Sequence, residues 1–181
     1  MLSKKMEEAL NQQLNAELYS AYLYLSMAAW FEGKNLPGFG HWLKVQTQEE
    51  TVHGLKFYNH LAARAGVIKL RPIQGPETEW TSPVAAFEAV YKHEQKVTAL
   101  INDLVEIALS EKDHAAKILL DWFVNEQVEE EDSAREALQK LEMAGDNPSA
   151  LFALDQEMRA RMFKIPPDVA EWAPAQAGPA G

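Results

Sequence analysis

Glu50 and His53 stand three residues apart in a segment of helical composition, so their side chains fall on one face, one turn apart. Acids occur in three other helix-like segments as Glu17, Glu94 and Glu130. Each of the four acids interrupts a stripe of apolar residues of the kind that faces a bundle core. Burying a carboxylate is costly unless a partner or a metal compensates its charge. The sequence therefore predicts a metal site inside a helical bundle.

The stripes follow spacings of three and four and place their acids near mid-helix. They read Leu10, Leu14, Glu17, Ala21, Tyr24 and Ala28; Leu43, Gln46, Glu50, His53 and Phe57; Phe87, Val90, Glu94, Val97, Ile101, Leu104 and Ala108; and Leu120, Phe123, Gln127, Glu130, Ala134, Ala137 and Leu141. A single acid on such a stripe more often means that the helix register has been misjudged and that the acid lies at the bundle edge. A single Glu-x-x-His motif is weak evidence for a metal site. Independent errors do not explain an acid in the middle of all four stripes.

The residue types limit which metal can bind. The chain has no cysteine, so the ligands are restricted to oxygen and imidazole. Carboxylates with one imidazole suit Fe(II) or manganese, whereas zinc prefers more nitrogen or sulfur. Four acids and one histidine are too many for one ion, which favours two ions bridged by a carboxylate. Two such ions can each give an electron to oxygen or peroxide.

Tyr24 lies two turns beyond Glu17 on the same stripe. It is either a hydrogen-bonded core phenol or a neighbour of the metal that can supply an electron. The remaining histidines do not join the pattern, and we expect solvated surface positions for them: His41, His60, His93 and His114.

A second set of acids neighbours the first along the chain: Glu49, Glu126, Glu129 and Glu131. Like charges packed this densely weaken a helix. Since Glu49, Glu126 and Glu129 each lie next to a stripe residue, we expect them on one side of the bundle near the paired site. They form a third metal position or a cation-gathering surface, with a passive solvated face as the alternative.

Four long helix-favouring segments and a short one position these residues. Ser82–Pro83 and Asn147–Pro148 each have the pattern of a helix cap followed by proline. Gly66 is predicted to follow the second helix at the position that favours a left-handed backbone. The predicted helices span Lys4–Glu32, Phe39–Ala65, Pro83–Ser110, His114–Ala144 and Pro148–Phe163.

The connections predict the topology. Short links make the first and second helices antiparallel, and the third and fourth also. Residues 67–82 can span roughly 50 Å when extended, more than the roughly 40 Å of a 27-residue helix, so this link can cross the whole bundle. We expect an all-α four-helix bundle with a long crossover and a short fifth helix in one domain, residues 1–163. A Pro-, Ala- and Gly-rich tail, residues 164–181, is predicted to be mobile or draped over the surface.

The net charge is −10, from 17 basic and 27 acidic residues. It argues against nucleic-acid binding, which needs clustered Lys and Arg. It suits a protein that attracts cations, although solubility alone is an alternative explanation. No run is apolar and long enough for a signal peptide or a membrane span, so we expect a cytoplasmic protein without a membrane partner.

Together these motifs resemble the prokaryotic non-haem ferritins over about Met1 to Phe163. The resemblance lies in Glu17 with Tyr24, Glu50–Thr51–Val52–His53 preceded by Glu49, Glu94, and Gln127–Val128–Glu129–Glu130 preceded by Glu126.

The resemblance implies a ferroxidase centre that oxidises Fe(II) with O2 or H2O2. It implies one iron at Glu17, Glu50 and His53, a second at Glu50, Glu94 and Glu130 with Gln127 nearby, and a third at Glu49, Glu126 and Glu129, which share Glu130. It also implies a hollow homo-oligomer of 24 chains that stores iron as a ferric mineral, with the fifth helix lining a four-fold axis.

Two related families fit less well. Bacterioferritins carry a second Glu-x-x-His where Gln127 and Glu130 stand, and a haem-ligating Met where Thr51 stands, so no haem is expected. Rubrerythrin-like proteins add a cysteine-rich iron domain that this chain lacks. Two other functions remain open: a di-iron oxidase or peroxidase without storage, and a non-enzymatic scaffold whose buried acids form hydrogen-bonded pairs.

Overall fold

The computed structural model describes residues 2–172, and five α-helices account for most of them. The helices are α1 (Lys4–Gly33), α2 (Pro37–Ala63), α3 (Pro83–Ser110), α4 (His114–Ala144) and α5 (Pro148–Met158), followed by a C-terminal 3-10 helix (Pro167–Trp172). The described residues contain no strand. None of these helices is both long enough and apolar enough to cross a bilayer. The predicted all-α bundle with a short fifth helix is confirmed.

Four of the five helices begin at a side-chain cap from the residue just before them. The capping oxygens accept hydrogen bonds from backbone N–H groups of the first turn, as predicted at Ser82 and Asn147. The four capping residues are Ser3, Ser82, Asp113 and Asn147.

The exception is α2, whose N-terminus is capped by α5. Asp155 accepts hydrogen bonds from the backbone N–H groups of Gly38 at 2.7 Å and Phe39 at 3.2 Å. A Cβ at Gly38 would lie 1.6 Å from the carbonyl oxygen of Asp155, so only glycine allows this approach. The cap fixes α5 at the end of the bundle where α2 begins.

Helix α2 ends at Ala63, two residues before the predicted end. The left-handed residue beyond it is Ala65, with φ 52°, and the prediction that Gly66 takes this role was wrong. Gly66 is one residue further on, where its N–H donates to the carbonyl oxygen of Leu61 at 2.8 Å. A Cβ there would lie 2.8 Å from Cδ2 of Leu2 and 3.2 Å from the carbonyl oxygen of Leu61, so a larger residue would require the side chain of Leu2 to shift.

The connection between α2 and α3 runs along α1. Near the start of α1, Asn11 donates to the carbonyl oxygen of Val67 at 2.9 Å and accepts from the N–H of Lys69 at 2.6 Å. Near its end, Ser26 donates to the carbonyl oxygen of Glu77 at 2.6 Å. Since these α1 residues are about 22 Å apart along the helix, the predicted long crossover is confirmed.

Two apolar clusters fill the bundle, one on each side of a polar layer. One holds the stacked rings of Phe31 and Phe39, whose centroids are 5.2 Å apart. The other holds Phe57 stacked on Phe123 at 4.3 Å. Few water molecules can reach the layer between them, so any charge there must be compensated by protein groups or by an ion.

Helix α5 ends at Met158, five residues before the predicted Phe163. The following residues bond to α2 instead: the carbonyl oxygen of Arg161 accepts from His41 Nε2 at 2.9 Å. Further on, Val169 is only 1% exposed. The first part of the predicted tail thus contains a buried residue. Residues 173–181 of the tail lie outside the described part of the chain.

Candidate metal centre

The polar layer is built from the acids that interrupt the four stripes. α1 supplies Glu17, α2 supplies Glu50 and His53, and α3 supplies Glu94. α4 supplies Gln127 and Glu130, and none of these six side chains is more than 5% exposed. The sequence thus predicted correctly that these side chains point into the core.

The first group consists of Glu17, Glu50 and His53. Each offers one ligand atom, and these atoms lie within 4.8 Å of one another. Nδ1 of His53 is 3.5 Å from a carboxylate oxygen of Glu50. Three ligand atoms from two helices at these separations can converge on one divalent ion.

The second group shares the imidazole with the first. His53, Glu126 and Glu130 also place ligand atoms within 4.8 Å of one another, with His53 Nε2 3.7 Å from Glu126. This group shares only Glu130 with the second position that the resemblance implied. His53 and Glu126 take part in it, and Glu50 and Glu94 do not.

Glu94 is held in hydrogen bonds. The hydroxyl of Tyr24 donates to one of its carboxylate oxygens, and Nε2 of Gln127 approaches the other at 3.4 Å and the backbone carbonyl at 3.3 Å. Tyr24 is fully buried. Tyr24 is therefore a hydrogen-bonded core phenol, and its partner Glu94 is one of the candidate ligands.

Several ligand-type atoms in this layer have no hydrogen-bond partner among the described residues. They include Glu17 Oε2, Glu50 Oε2 and His53 Nδ1. A buried carboxylate oxygen without a donor is costly, and a divalent cation would satisfy it. The groups that could bind the ion are carboxylates and one imidazole, which are ligands that Fe(II) and manganese prefer.

The electrostatics of the layer show the same shortage of donors. Burial, with the neighbouring Glu50, raises the pKa of Glu17 well above its usual value. Burial raises the pKa of Glu50 to about 7 and, together with Glu130, that of Glu94 to about 8. Burial acts to lower the pKa of His53, but the adjacent Glu126 and Glu50 outweigh it and raise that pKa. The acids hold protons near neutral pH that a cation would displace.

Two glutamines that sequence reasoning did not assign to the site support its acids. Nε2 of Gln13 donates to Glu17 at 2.8 Å, and Nε2 of Gln46 donates to Glu130 at 2.6 Å. Gln13 precedes Glu17 by one helical turn, which was a usable signal. Gln46 stood on the second stripe, but only the fold shows that it reaches α4.

The outer acids are arranged less uniformly. Glu126 borders the site through His53, whereas Glu129 is exposed and belongs to neither group. Glu49 is partly buried, and its carboxylate accepts a hydrogen bond from Arg161 at 2.6 Å. Burial raises the pKa of Glu49 to about 7, although Arg161 acts in the opposite direction.

The expectation of solvated positions holds for the exposed His114 but was wrong for three histidines. His93 is half-buried, lies 2.8 Å from the hydroxyl of Ser20 and packs edge-on against Tyr24. Burial lowers the pKa of His93 to about 4. His41 bonds to the segment after α5, and His60 lies 3.3 Å from the guanidinium of Arg64. Helical spacing could not show the contacts of His93 and His41 with other elements, whereas His60 and Arg64 are four residues apart at the end of α2, a spacing that brings side chains together.

Comparisons with known proteins agree with this geometry. The ferritin-like domain family matches residues 7–144. The bacterial non-heme ferritin of Bacteroides fragilis is 40% identical over 161 residues, which cover 89% of this chain and all of that protein. The corresponding protein of Staphylococcus aureus is 37% identical over 163 residues, covering 90% of this chain and 98% of its own.

Solved structures give the same result. An engineered closed form of the Archaeoglobus fulgidus ferritin superposes with a TM-score of 0.89 at 50% identity, covering 91% of this chain and all of that one. The open-pore ferritin of the same archaeon superposes with a TM-score of 0.88 at 50% identity, and the match covers 90% of this chain and 99% of that one. By sequence and by fold, this chain belongs to the ferritin family.

Proposed function

We propose that this protein oxidises Fe(II) in the polar layer of the bundle and stores the Fe(III) as a ferric oxyhydroxide mineral inside a shell of its own copies. One observation carries the proposal: four helices bury carboxylates around a single imidazole and leave ligand atoms without hydrogen-bond partners. Membership of the ferritin family supports it. Fe(II) enters the site as the substrate, with O2 or H2O2 as the oxidant.

We assign two adjacent iron positions to this layer. Glu17, Glu50 and His53 bind one Fe(II), and Glu50 bridges to a second that is bound by Glu94 and Glu130. A third position uses Glu49, Glu126 and Glu129 with Glu130. The closeness of the first three ligand atoms supports the first position most directly, and the group of His53, Glu126 and Glu130 supports metal binding on the α2–α4 side. We expect no haem, because Thr51 stands where bacterioferritins carry a haem-ligating Met.

The chemistry needs two electrons. Each Fe(II) gives one electron, so a pair reduces O2 with two protons to H2O2, or H2O2 with two protons to two waters. Glu50 and Glu94 contribute protons when iron displaces them from their carboxyl groups. Gln13 and Gln46 hold Glu17 and Glu130 in place.

Tyr24 and Gln127 position Glu94. The buried phenol donates to one carboxylate oxygen and the amide to the other, so Glu94 is oriented before any ion arrives. Burial and the Glu94 charge raise the pKa of Tyr24, which keeps its hydroxyl protonated as a donor.

Aerobic addition of Fe(II) tests the oxidase activity. The absorbance of the ferric product should rise rapidly in the wild type, and Glu50→Ala or Glu130→Ala should slow it by about a hundredfold or more, because each removes an iron ligand. Glu88→Ala removes an exposed acid of α3 that is 3.8 Å from Lys92, and it should oxidise iron at the wild-type rate. Unchanged rates in both ligand variants would exclude the proposed centre.

The mass of the native particle separates storage from a non-storing oxidase. A shell of 24 chains of 20.3 kDa has a mass of about 490 kDa. A dimer that precipitates iron under heavy loading would favour the oxidase, and a particle that binds no stoichiometric iron would favour a structural scaffold.

A further inference from the structure

Glu49, one of the proposed ligands of the third iron, is paired with a cation of this chain. Arg161, three residues beyond α5, donates from Nη2 to Oε2 of Glu49 at 2.6 Å. Its guanidinium lies over the ring of Trp42, 4.1 Å from the centroid. The two paired side chains are only 19% and 21% exposed, so solvent screens their attraction incompletely.

Contacts on both sides hold Arg161 in this place. Before it, Asp155 caps the start of α2, and the backbone carbonyl of Arg161 itself accepts from His41. After it, Asp168 pairs with Lys56 and Val169 is buried. The segment thus follows α2 for roughly five turns, from Gly38 to Lys56. Because this segment is already ordered, placing the guanidinium on Glu49 costs little additional conformational entropy.

We propose that Arg161 is a positioning residue that competes with iron for the third site, so that iron binds there only when Arg161 releases Glu49. The inference rests on the proposed function. An oxygen of Glu49 that accepts from the guanidinium is not free to coordinate Fe(II), and a fixed positive charge beside it repels an arriving cation.

The same geometry separates Arg161 from the first two iron positions. Within residues 2–172, no hydrogen bond or ion pair joins Arg161 to a ligand of either position: Glu17, Glu50, His53, Glu94 or Glu130. Removing its charge should therefore strengthen the third position and leave the paired site unchanged. The third ion is weakly held in the wild type for this reason.

Anaerobic calorimetric titration of the assembled protein with Fe(II) tests the proposal. The wild type should bind two ions per chain tightly and a third weakly, and Arg161→Gln should tighten only the third, by about tenfold or more. Arg161→Met, which keeps the stem packed on Trp42, should behave like Arg161→Gln and serves if the glutamine variant fails to assemble. Arg161→Lys, which keeps the charge but not the planar fork, should lie between them and the wild type.

Two controls isolate the pair. Lys164→Gln removes an equal charge from an exposed position nearby and should leave all three affinities unchanged. Adding Glu49→Gln to Arg161→Gln should abolish the gain, because the ligand is lost. The proposal is overturned if the third affinity is the same with and without Arg161, or if the gain survives Glu49→Gln. Loss of the first two ions in the wild type would instead contradict the proposed function.

Discussion

Carboxylates are buried both at the ends of the bundle and in its middle, but two of those in the middle, Glu17 and Glu50, lack the hydrogen-bond donors that the end carboxylates obtain. Asp155 accepts from two backbone N–H groups of α2. Asp113 accepts two hydrogen bonds from Arg64, at 2.8 and 3.0 Å, and caps α4. In the middle, Glu17 and Glu50 each keep an oxygen without a hydrogen-bond partner among the described residues, and Nδ1 of His53 lies 3.5 Å from that Glu50 oxygen.

The pKa values of the two regions move in opposite directions. At the ends, the N–H of Val67 lowers the pKa of Glu7, and Arg64 lowers that of Asp113 despite its burial. In the middle, burial raises the pKa of Glu50 and Glu94. Helix ends expose free backbone donors, whereas every mid-helix N–H is already used within the helix. A buried acid in mid-helix therefore needs a partner other than the backbone, and a metal ion can be that partner.

Removing an end carboxylate should cost the most stability. Asp155→Ala leaves two N–H groups of α2 unpaired and detaches α5, so the free energy of unfolding should fall by about 2–3 kcal/mol. Urea denaturation of the metal-free protein measures it. Asp146→Ala, at an exposed position before α5, should change it by less than about 0.5 kcal/mol. Equal losses in the two variants would mean that the cap stabilises nothing.

Neutralising a middle carboxylate should have the opposite sign. Glu17→Gln keeps the shape and an oxygen for Gln13. The neutral amide removes the cost of either burying the carboxylate charge or protonating it at neutral pH, so the metal-free protein should gain about 1–2 kcal/mol. Thermal unfolding after chelation measures the change, and the same variant should gain less stability than the wild type from added Fe(II) without oxygen. If Glu17→Gln destabilises the metal-free protein, the middle acids are satisfied after all.

The raised pKa values predict how the metal-free protein responds to pH. A carboxyl whose folded pKa lies above its unfolded value binds its proton more strongly when folded, so stability grows as pH falls through the folded pKa. With Glu50 at about 7 and Glu94 at about 8, the wild type should gain about 2 kcal/mol between pH 8.5 and 6.5.

The window from pH 8.5 to 6.5 lies above the range in which His93 affects stability. The pKa of His93 is lowered by burial, so it opposes folding only below about pH 6.5, where the unfolded imidazole gains its proton. A Glu50→Gln/Glu94→Gln variant should show a flatter dependence over the same window. A part of the slope should remain, because the pKa values of Glu17, Glu49 and His53 are raised as well. An equal slope in the double variant would assign the effect to other groups.

The smallest effect concerns the backbone at the end of α2. Ala65 has a left-handed backbone with φ 52°, so Ala65→Gly should stabilise the protein by about 0.5 kcal/mol. Ala63→Gly, at the last residue of the helix, should instead destabilise it, by up to about 0.5 kcal/mol. Denaturation midpoints separate the two, and destabilisation by both would show that Ala65 carries no strain.

Most of the bundle could be predicted from the sequence because apolar periodicity and caps are local signals. Ser82–Pro83 fixed the start of α3 to the residue, and the four acids were correctly placed in the core. The end of α5 could not be predicted in this way. Residues after Met158 favour a helix locally, but contacts of Arg161 with α2 prevail over that preference.

Contacts between helices were the other missing part. Gln46 and His93 each lie one residue or one turn from a predicted ligand, yet only the fold shows that Gln46 reaches Glu130 and that His93 meets Ser20. The pairing of Glu49 with Arg161 could not be predicted for the same reason, since the two residues are more than a hundred residues apart along the chain.

Anomalous diffraction at the iron edge, from crystals loaded anaerobically with Fe(II), tests the central claim most directly. The account predicts two strong peaks in the bundle interior, one among Glu17, Glu50 and His53 and one beside Glu94 and Glu130, with Glu50 between them. It predicts a weaker third peak at Glu49. An interior without iron, with peaks only on the exposed acids, would contradict the assignment of the middle carboxylates as iron ligands.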